Sequence, residues 1–178
     1  MNILFITSAK IQSINDRAIY PDLLRKFRNE GHNIFILTPT ERRFKKKTNL
    51  IEEDGCKILS IWIPNLQKTN LFEKTISTLS IEYLFTKAFN KFFQEQKFDL
   101  ILYSTPPITF TNLIKYVKSK TDAKTYLLLK DIFPQNAVDL KMFNQQSLIY
   151  KYFRNKEREL YRISDHIGCM SDQNKKYA

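Results

Sequence analysis

Leu127-Leu128-Leu129-Lys130-Asp131-Ile132-Phe133-Pro134-Gln135-Asn136-Ala137-Val138-Asp139 is the stretch on which the fold turns. Three leucines end abruptly in a charged pair, and a proline three residues past the aspartate breaks the backbone. A buried parallel strand reads as a continuous apolar run and delivers polar groups where it stops. Open α/β sheets bind their ligands at that rim. Asp131 and Lys130 are therefore the first candidate site residues.

Outward from this stretch, apolar runs alternate with helical periodicity. Residues 2–7 read as a strand, and residues 17–30 follow with Ile19, Leu23, Leu24 and Phe27 at helical spacing. Gly31 stops that helix, because glycine takes positive φ cheaply. Residues 33–38 make a second strand closed by Pro39, and a polar, basic loop runs to about Gly55. Residues 57–63 make a third strand closed by Pro64. Residues 73–96 form the longest helix, with Ile81, Leu84, Phe85, Ala88, Phe89 and Phe92 on one face and Lys87, Asn90 and Lys91 on the other. Strands at 98–103, 124–129 and 166–170 are separated by helices at 108–119 and 147–162. Ser171-Asp172 read as the N-cap of a further helix.

This alternation predicts an α/β domain: a Rossmann-like, mainly parallel sheet with helices on both faces. Right-handed crossovers place all the strand C-termini on one edge. Thr7-Ser8, Thr38-Pro39, Ile63-Pro64, Ser104-Thr105, Lys130-Asp131 and Met170-Ser171 lie along it.

Composition narrows the function classes. At 178 residues the chain fits one domain with a full core. Lys and Arg exceed Asp and Glu by 29 − 18 = 11, a field that favours phosphate-bearing ligands, anionic membrane surfaces or nucleic acid. No recognised nucleic-acid module organises the basic residues, so nucleic acid is not an expected partner. Cys56 and Cys169 form no CxxC pair and read as free thiols of a cytoplasmic protein. His32 and His166 lack ligand spacing, so no metal site is expected. The apolar run after Met1 is too short for a signal peptide, and no stretch approaches the ~20 apolar residues of a membrane span. With three glycines, Gly31, Gly55 and Gly168, the chain has no GxGxxG, no phosphate-cradling P-loop and no GxSxG elbow.

Five segments carry a family resemblance. They are the opening strand to Ile6; the block from Leu23 through Gly31-His32 to Thr38; Phe98-Asp99-Leu100-Ile101-Leu102-Tyr103-Ser104-Thr105-Pro106-Pro107; Asp131-Ile132-Phe133-Pro134-Gln135-Asn136-Ala137-Val138-Asp139; and Glu157 to Ser171, with Tyr161, Arg162 and Ser164-Asp165. In this order they resemble the N-terminal domain of family 4 glycosyltransferases of the GT-B fold, closest to the bacterial branch that builds capsule and O-antigen sugars. The resemblance implies two α/β domains facing across a cleft. The C-terminal domain holds most of the nucleotide-sugar and carries the family's paired glutamates, and the N-terminal domain shapes the acceptor side.

Residues 1–178 would then be the single acceptor-side domain, with the donor-binding domain absent from this chain. The implied activity is retaining transfer of a sugar to a saccharide or lipid-linked saccharide in polysaccharide biosynthesis. It needs no cofactor beyond the nucleotide-sugar co-substrate, and the isolated domain would be inactive. The place implied is the cytoplasm, with peripheral contact at the inner membrane face. Two departures from the family stand out. The loop at 8–16 lacks the glycine pair many members carry near the donor phosphates, and Lys130 stands where a His is common.

Each candidate has a functional and a structural reading. Asp131 orients sugar hydroxyls in the cleft, or caps the turn before Pro134. Lys130 pairs with phosphate, or neutralises Asp131. Ser8, with Lys10 and Ser13, lines the cleft. Ser104 and Thr105 hydrogen-bond an acceptor, or serve as turn residues. Asn136 and Gln135 contact sugar, or cap the segment that follows. Arg42, Arg43, Lys45, Lys46 and Lys47 form a solvated, mobile loop, or bind anionic lipid at about 1 kcal/mol per basic residue. Leu71, Phe72, Ile76 and the Phe-rich helix face at 85–93 anchor to a membrane, or belong to the core. The competing function class is a stand-alone basic α/β module that recognises anionic glycolipid or a protein partner.

Overall fold

The computed structural model describes residues 1–66, 71–105 and 108–177; within these, no side-chain placement is described for 71–79 and 173. Seven strands form one sheet: β1 (Asn2–Ile6), β2 (Asn33–Glu41), β3 (Asn49–Glu53), β4 (Cys56–Ile63), β5 (Leu100–Ser104), β6 (Lys124–Leu129) and β7 (His166–Cys169). Their order is β3-β4-β2-β1-β5-β6-β7. Every pairing is parallel except β3 with β4. The helices are α1 (Ile19–Asn29), α2 (Leu71–Phe93), α3 (Thr111–Thr121), α4 (Gln135–Asp139), α5 (Leu148–Ile163) and α6 (Asp172–Tyr177).

The central strand shows why the sheet is doubly covered. Ile3, Leu4, Phe5 and Ile6 are all fully buried. Alternation sends Ile3 and Phe5 to one layer, where Leu24 of α1 meets them. Leu4 and Ile6 face the other layer, built from α2, α3 and Leu160 of α5. Helices thus lie on both faces, but unevenly, with α1 in one layer and α2, α3 and α5 in the other.

The aromatic stripe of α2 is core. Phe85, Phe89 and Phe93 are buried, and Phe35 meets Phe93 and Phe98 edge-on at 5.5 and 5.2 Å. Membrane anchoring by this face is therefore overturned, since the sheet already covers it. Leu71, Phe72 and Ile76 lie among the side chains not described.

Two further expectations are corrected. Pro39 does not close β2, which pairs with β4 as far as Glu41 opposite Ile63. Leu37 directs its carbonyl at β1 and accepts from Thr7 N at 3.1 Å. Residue 39 faces the same side, where β1 has ended, so the missing N–H of proline leaves no gap in the ladder. The basic loop to Gly55 also contains β3, which returns to β4 through Asp54 and Gly55, both at positive φ (48° and 74°). Elsewhere the expected caps hold. Gly31 follows α1 at φ 83°, and Ser171 Oγ accepts from Asn174 N at 3.2 Å to cap α6.

Candidate functional site

The parallel register brings the C-terminal tips of six strands to one edge, as expected. At β1 the tip is fastened without glycine. Thr7 Oγ1 accepts from Ala9 N at 3.0 Å, and Thr38 Oγ1 accepts from Ile11 N at 2.9 Å. Ile11 and Ile14 then plug the layer under α1. Ser8 sits half-buried at this tip. Ser13 does not line the edge: its hydroxyl donates to Glu53 Oε1 at 2.8 Å, tying the loop to β3.

Beyond β2, residues Arg42–Phe44 form a single 3-10 turn rather than a featureless loop. Arg43 N donates to Asn65 Oδ1 at 2.9 Å, and the Arg43 guanidinium pairs with Glu41 at 3.0 Å. Lys10, from the loop after β1, places its ammonium 3.5 Å from the Phe44 ring centroid, and Arg43 lies 4.9 Å from the same ring. A cation over an aromatic face is attracted by the ring quadrupole. Burial pushes the Lys10 amine below its ordinary value, Lys46 and Arg43 push it further, and Glu41 opposes them. Sequence reading placed Lys10 in the cleft but did not join it to the basic run, because that contact links two separate loops.

The tips of β5 and β6 are closed. Ser104 and Thr105 are each 2% exposed. Thr105 N donates to Leu128 O at 3.2 Å, and Thr105 Oγ1 accepts from Lys130 N at 3.2 Å. Both residues extend the ladder instead of facing an acceptor. Pro106 and Pro107 lie outside the described residues.

Lys130 turns its ammonium over the Tyr20 ring at 4.5 Å, and among the described residues it makes no ion pair with Asp131. Asp131 is exposed and has no hydrogen bond or ion pair among the described residues, so it does not cap the turn before Pro134. It stands as a free carboxylate at the edge among the described residues. Beside Lys130, an open groove of about 280 Å³ runs between α1 and β6–β7, lined by Tyr20, Leu23, Tyr126, Leu128 and Met170.

Gln135 and Asn136 do not cap the next segment; they lie inside α4, and no side chain caps that helix. Gln135 Nε2 donates to Asp139 Oδ1 at 2.9 Å. Asn136 Oδ1 is buried with no partner among the described residues. Buried acceptors are almost always paired, so this atom has unused capacity directly after the Asp131 turn. Among the described residues, no group of three or more His, Cys, Asp or Glu is placed to hold a metal ion.

No protein-family model matches this chain, and no curated protein matches its sequence. Its fold does match solved structures. One is trehalose-6-phosphate from E. coli bound with UDP-2-fluoro glucose, at 10% identity and TM-score 0.64, covering 98% of this chain and 41% of that one. Another is an alpha,alpha-trehalose-phosphate synthase (UDP-forming) from Burkholderia vietnamiensis, at 9% identity and TM-score 0.59, covering 99% of this chain and 41% of that one. The chain thus spans less than half the length of each, and it shares the fold of that part: an α/β domain with a mostly parallel seven-stranded sheet.

Proposed function

We propose that this domain is the acceptor-side half of a retaining, nucleotide-sugar-dependent glycosyltransferase of capsule or O-antigen biosynthesis. The observation that carries the reading is the polar strand edge on a fold shared with a protein bound to UDP-2-fluoro glucose. Asp131 supplies a free carboxylate there, and Asn136 Oδ1 an unused acceptor a few residues on. The acceptor is a saccharide or lipid-linked saccharide, whose hydroxyls Asp131 orients, with Asn136 in the segment behind it. Lys130 and the Lys10–Arg43 pair suit a phosphate on that acceptor. Ser8 completes the rim beside β1. The nucleotide-sugar is held mainly by a second domain facing this edge, which supplies most of the electrostatic stabilisation of the departing phosphate. Work at the inner face of the cytoplasmic membrane fits the basic excess of the chain.

Amide chemical-shift mapping of the chain with sugar phosphates and with UDP-glucose tests this. Sugar phosphates are expected to shift Ser8, Lys130, Asp131 and Asn136, and Asp131→Asn to weaken them about tenfold, the loss of one charge-assisted hydrogen bond. Shifts confined to other faces overturn the reading. So does sugar transfer by the isolated domain.

A further inference from the structure

We propose that the corner joining α4 to α5 docks on an anionic lipid bilayer, with Leu140, Met142, Leu148 and Ile149 entering the acyl boundary and Lys141 and Lys151 at headgroup level. Single exposed apolar residues are ordinary on a protein surface. Here five fall within one corner: Leu148 is 82% exposed, Leu140 73%, Met142 68%, Ile149 56% and Tyr152 46%.

The corner is built, not frayed. Phe133 meets Phe143 at 6.3 Å and Phe153 at 5.0 Å, and Phe143 meets Tyr150 at 6.5 Å. Gln145 Nε2 donates to Gln135 Oε1 at 3.1 Å, fastening the connection to α4. Ser147 Oγ caps α5 by accepting from Tyr150 N at 3.2 Å. Phe133 and Phe153 pack against the core, and the aliphatic side chains of the corner are left exposed.

Charge separates a lipid from a protein occupant. Residues 140–156 contain four cations and no acid; Arg154 and Lys156 pair with Glu157 and Glu159, while Lys141 and Lys151 have no ion pair among the described residues. The flanking acids are Asp139, whose carboxylate accepts from Gln135 Nε2, and Glu157, which is buried and taken by Arg154. Protein interface cores deplete lysine. A bilayer surface suits it, because the stem lies along apolar surface while the ammonium reaches the phosphates. Tyr152 has the amphipathic ring that sits at headgroup level.

Position adds a second contact. α5 leads into β7, which is parallel to β6, so its first turn lies at the C-terminal edge of the sheet. The Arg42–Phe44 turn follows β2 at the same edge. Strand order sets β2 and β6 three spacings apart, about 14 Å. The basic turn thus supplies charge on the same side as the apolar corner. Among the described residues no helix is long and apolar enough to cross a membrane.

Cosedimentation of the full chain with two vesicle types tests the inference: phosphatidylcholine alone, and phosphatidylcholine mixed with phosphatidylglycerol. Binding is expected to the mixed vesicles, and Leu148→Ser/Ile149→Ser is expected to weaken it about tenfold or more. Leu140→Gln/Met142→Gln gives the same readout should the first variant fail to fold. Failure to bind mixed vesicles, or undiminished binding by folded variants, overturns the inference. Concentration-dependent dimerisation abolished by the same substitutions also overturns it, because the corner is then a self-interface. The inference does not rest on sugar transfer, whose shift mapping is read without lipid.

Discussion

The Tyr161 hydroxyl donates to Glu157 Oε1 at 2.7 Å, one turn back along α5. Glu157 is 1% exposed, and its other oxygen pairs with Arg154. Arg154 in turn lies 4.7 Å from the Tyr177 ring of α6. Burial, and then the bond to Glu157, pushes the Tyr161 hydroxyl far above the usual tyrosine range, so it stays a donor at any physiological pH. The Glu-x-x-x-Tyr spacing is therefore a structural clamp within α5 that also braces α6.

Removing the acid strands its partners. In Glu157→Ala, Arg154 keeps its charge with no acid opposite it, and the Tyr161 hydroxyl loses its acceptor. Breaking a buried pair in this way costs about 3 kcal/mol. Tyr161→Phe removes one neutral-to-charged hydrogen bond and costs about 1.5 kcal/mol. Urea unfolding with an unchanged m-value checks both, and equal losses for the two variants would contradict the ordering.

Asp165 gives the fold a defined acid sensitivity. Its carboxylate accepts from Lys118 Nζ at 2.8 Å and from Thr125 N at 2.8 Å, joining α3, β6 and the turn before β7. The Lys118 bond first, and the Thr125 hydroxyl next, hold its pKa well below the ordinary 3.8. A depressed folded pKa contributes stability that is complete above the unfolded value and lost as pH falls towards the folded one. Asp165→Asn is expected to cost about 1–2 kcal/mol at neutral pH. The gap between wild type and variant then narrows as pH falls from about 5 to about 3. A gap that stays constant over that range would show that the carboxylate charge is not what stabilises the junction.

Gly168 is required by a close approach. A Cβ at this position would meet the Tyr126 hydroxyl at 2.5 Å and Cε1 at 2.8 Å across β6–β7. Tyr126 is half-buried against the α1 layer, so it yields only by leaving that packing. Gly168→Ala is expected to cost about 1–3 kcal/mol, the usual penalty of overpacking. Tyr126→Leu removes the obstructing ring end, so the alanine should cost far less in that background. A double-mutant cycle in thermal unfolding measures the coupling, and additivity of the two changes would refute the contact as the cause.

The parallel body of the sheet was legible because each central strand is buried on both faces, which leaves an unbroken apolar run such as Ile3 to Ile6. β3 had no such signal. Leu50 and Ile51 are exposed on an edge strand with no buried face, so no alternation marks the segment. Its one local mark is the Asp54-Gly55 pair, a two-residue turn with both φ positive, which favours a hairpin. The strand tips themselves were located correctly, but their openness was not readable. Whether Thr105 faces solvent depends on Lys130 N reaching across from β6, a relation between strands 25 residues apart. Lys10 and Phe44 meet for the same kind of reason, through two loops that only the β1–β2 pairing brings together.

That last meeting leads to a prediction about anions. Lys10 and Arg43 share the Phe44 ring, and Lys46 is close enough to depress the Lys10 amine. The neighbouring acid, Glu41, already serves Arg43 and the Leu66 amide. Like charges held this close oppose folding, and an anion seated among them relieves the repulsion. Inorganic phosphate is therefore expected to raise the melting temperature above that in chloride at matched ionic strength. At about ten times its dissociation constant the gain is about 1.4 kcal/mol, or roughly 3–5 °C for a domain of this size. Lys10→Met should abolish the phosphate-specific part, and Phe44→Leu should weaken it by freeing Lys10 from its platform. Phosphate and chloride acting alike on the wild type would mark the cluster as a solvated surface with no anion preference.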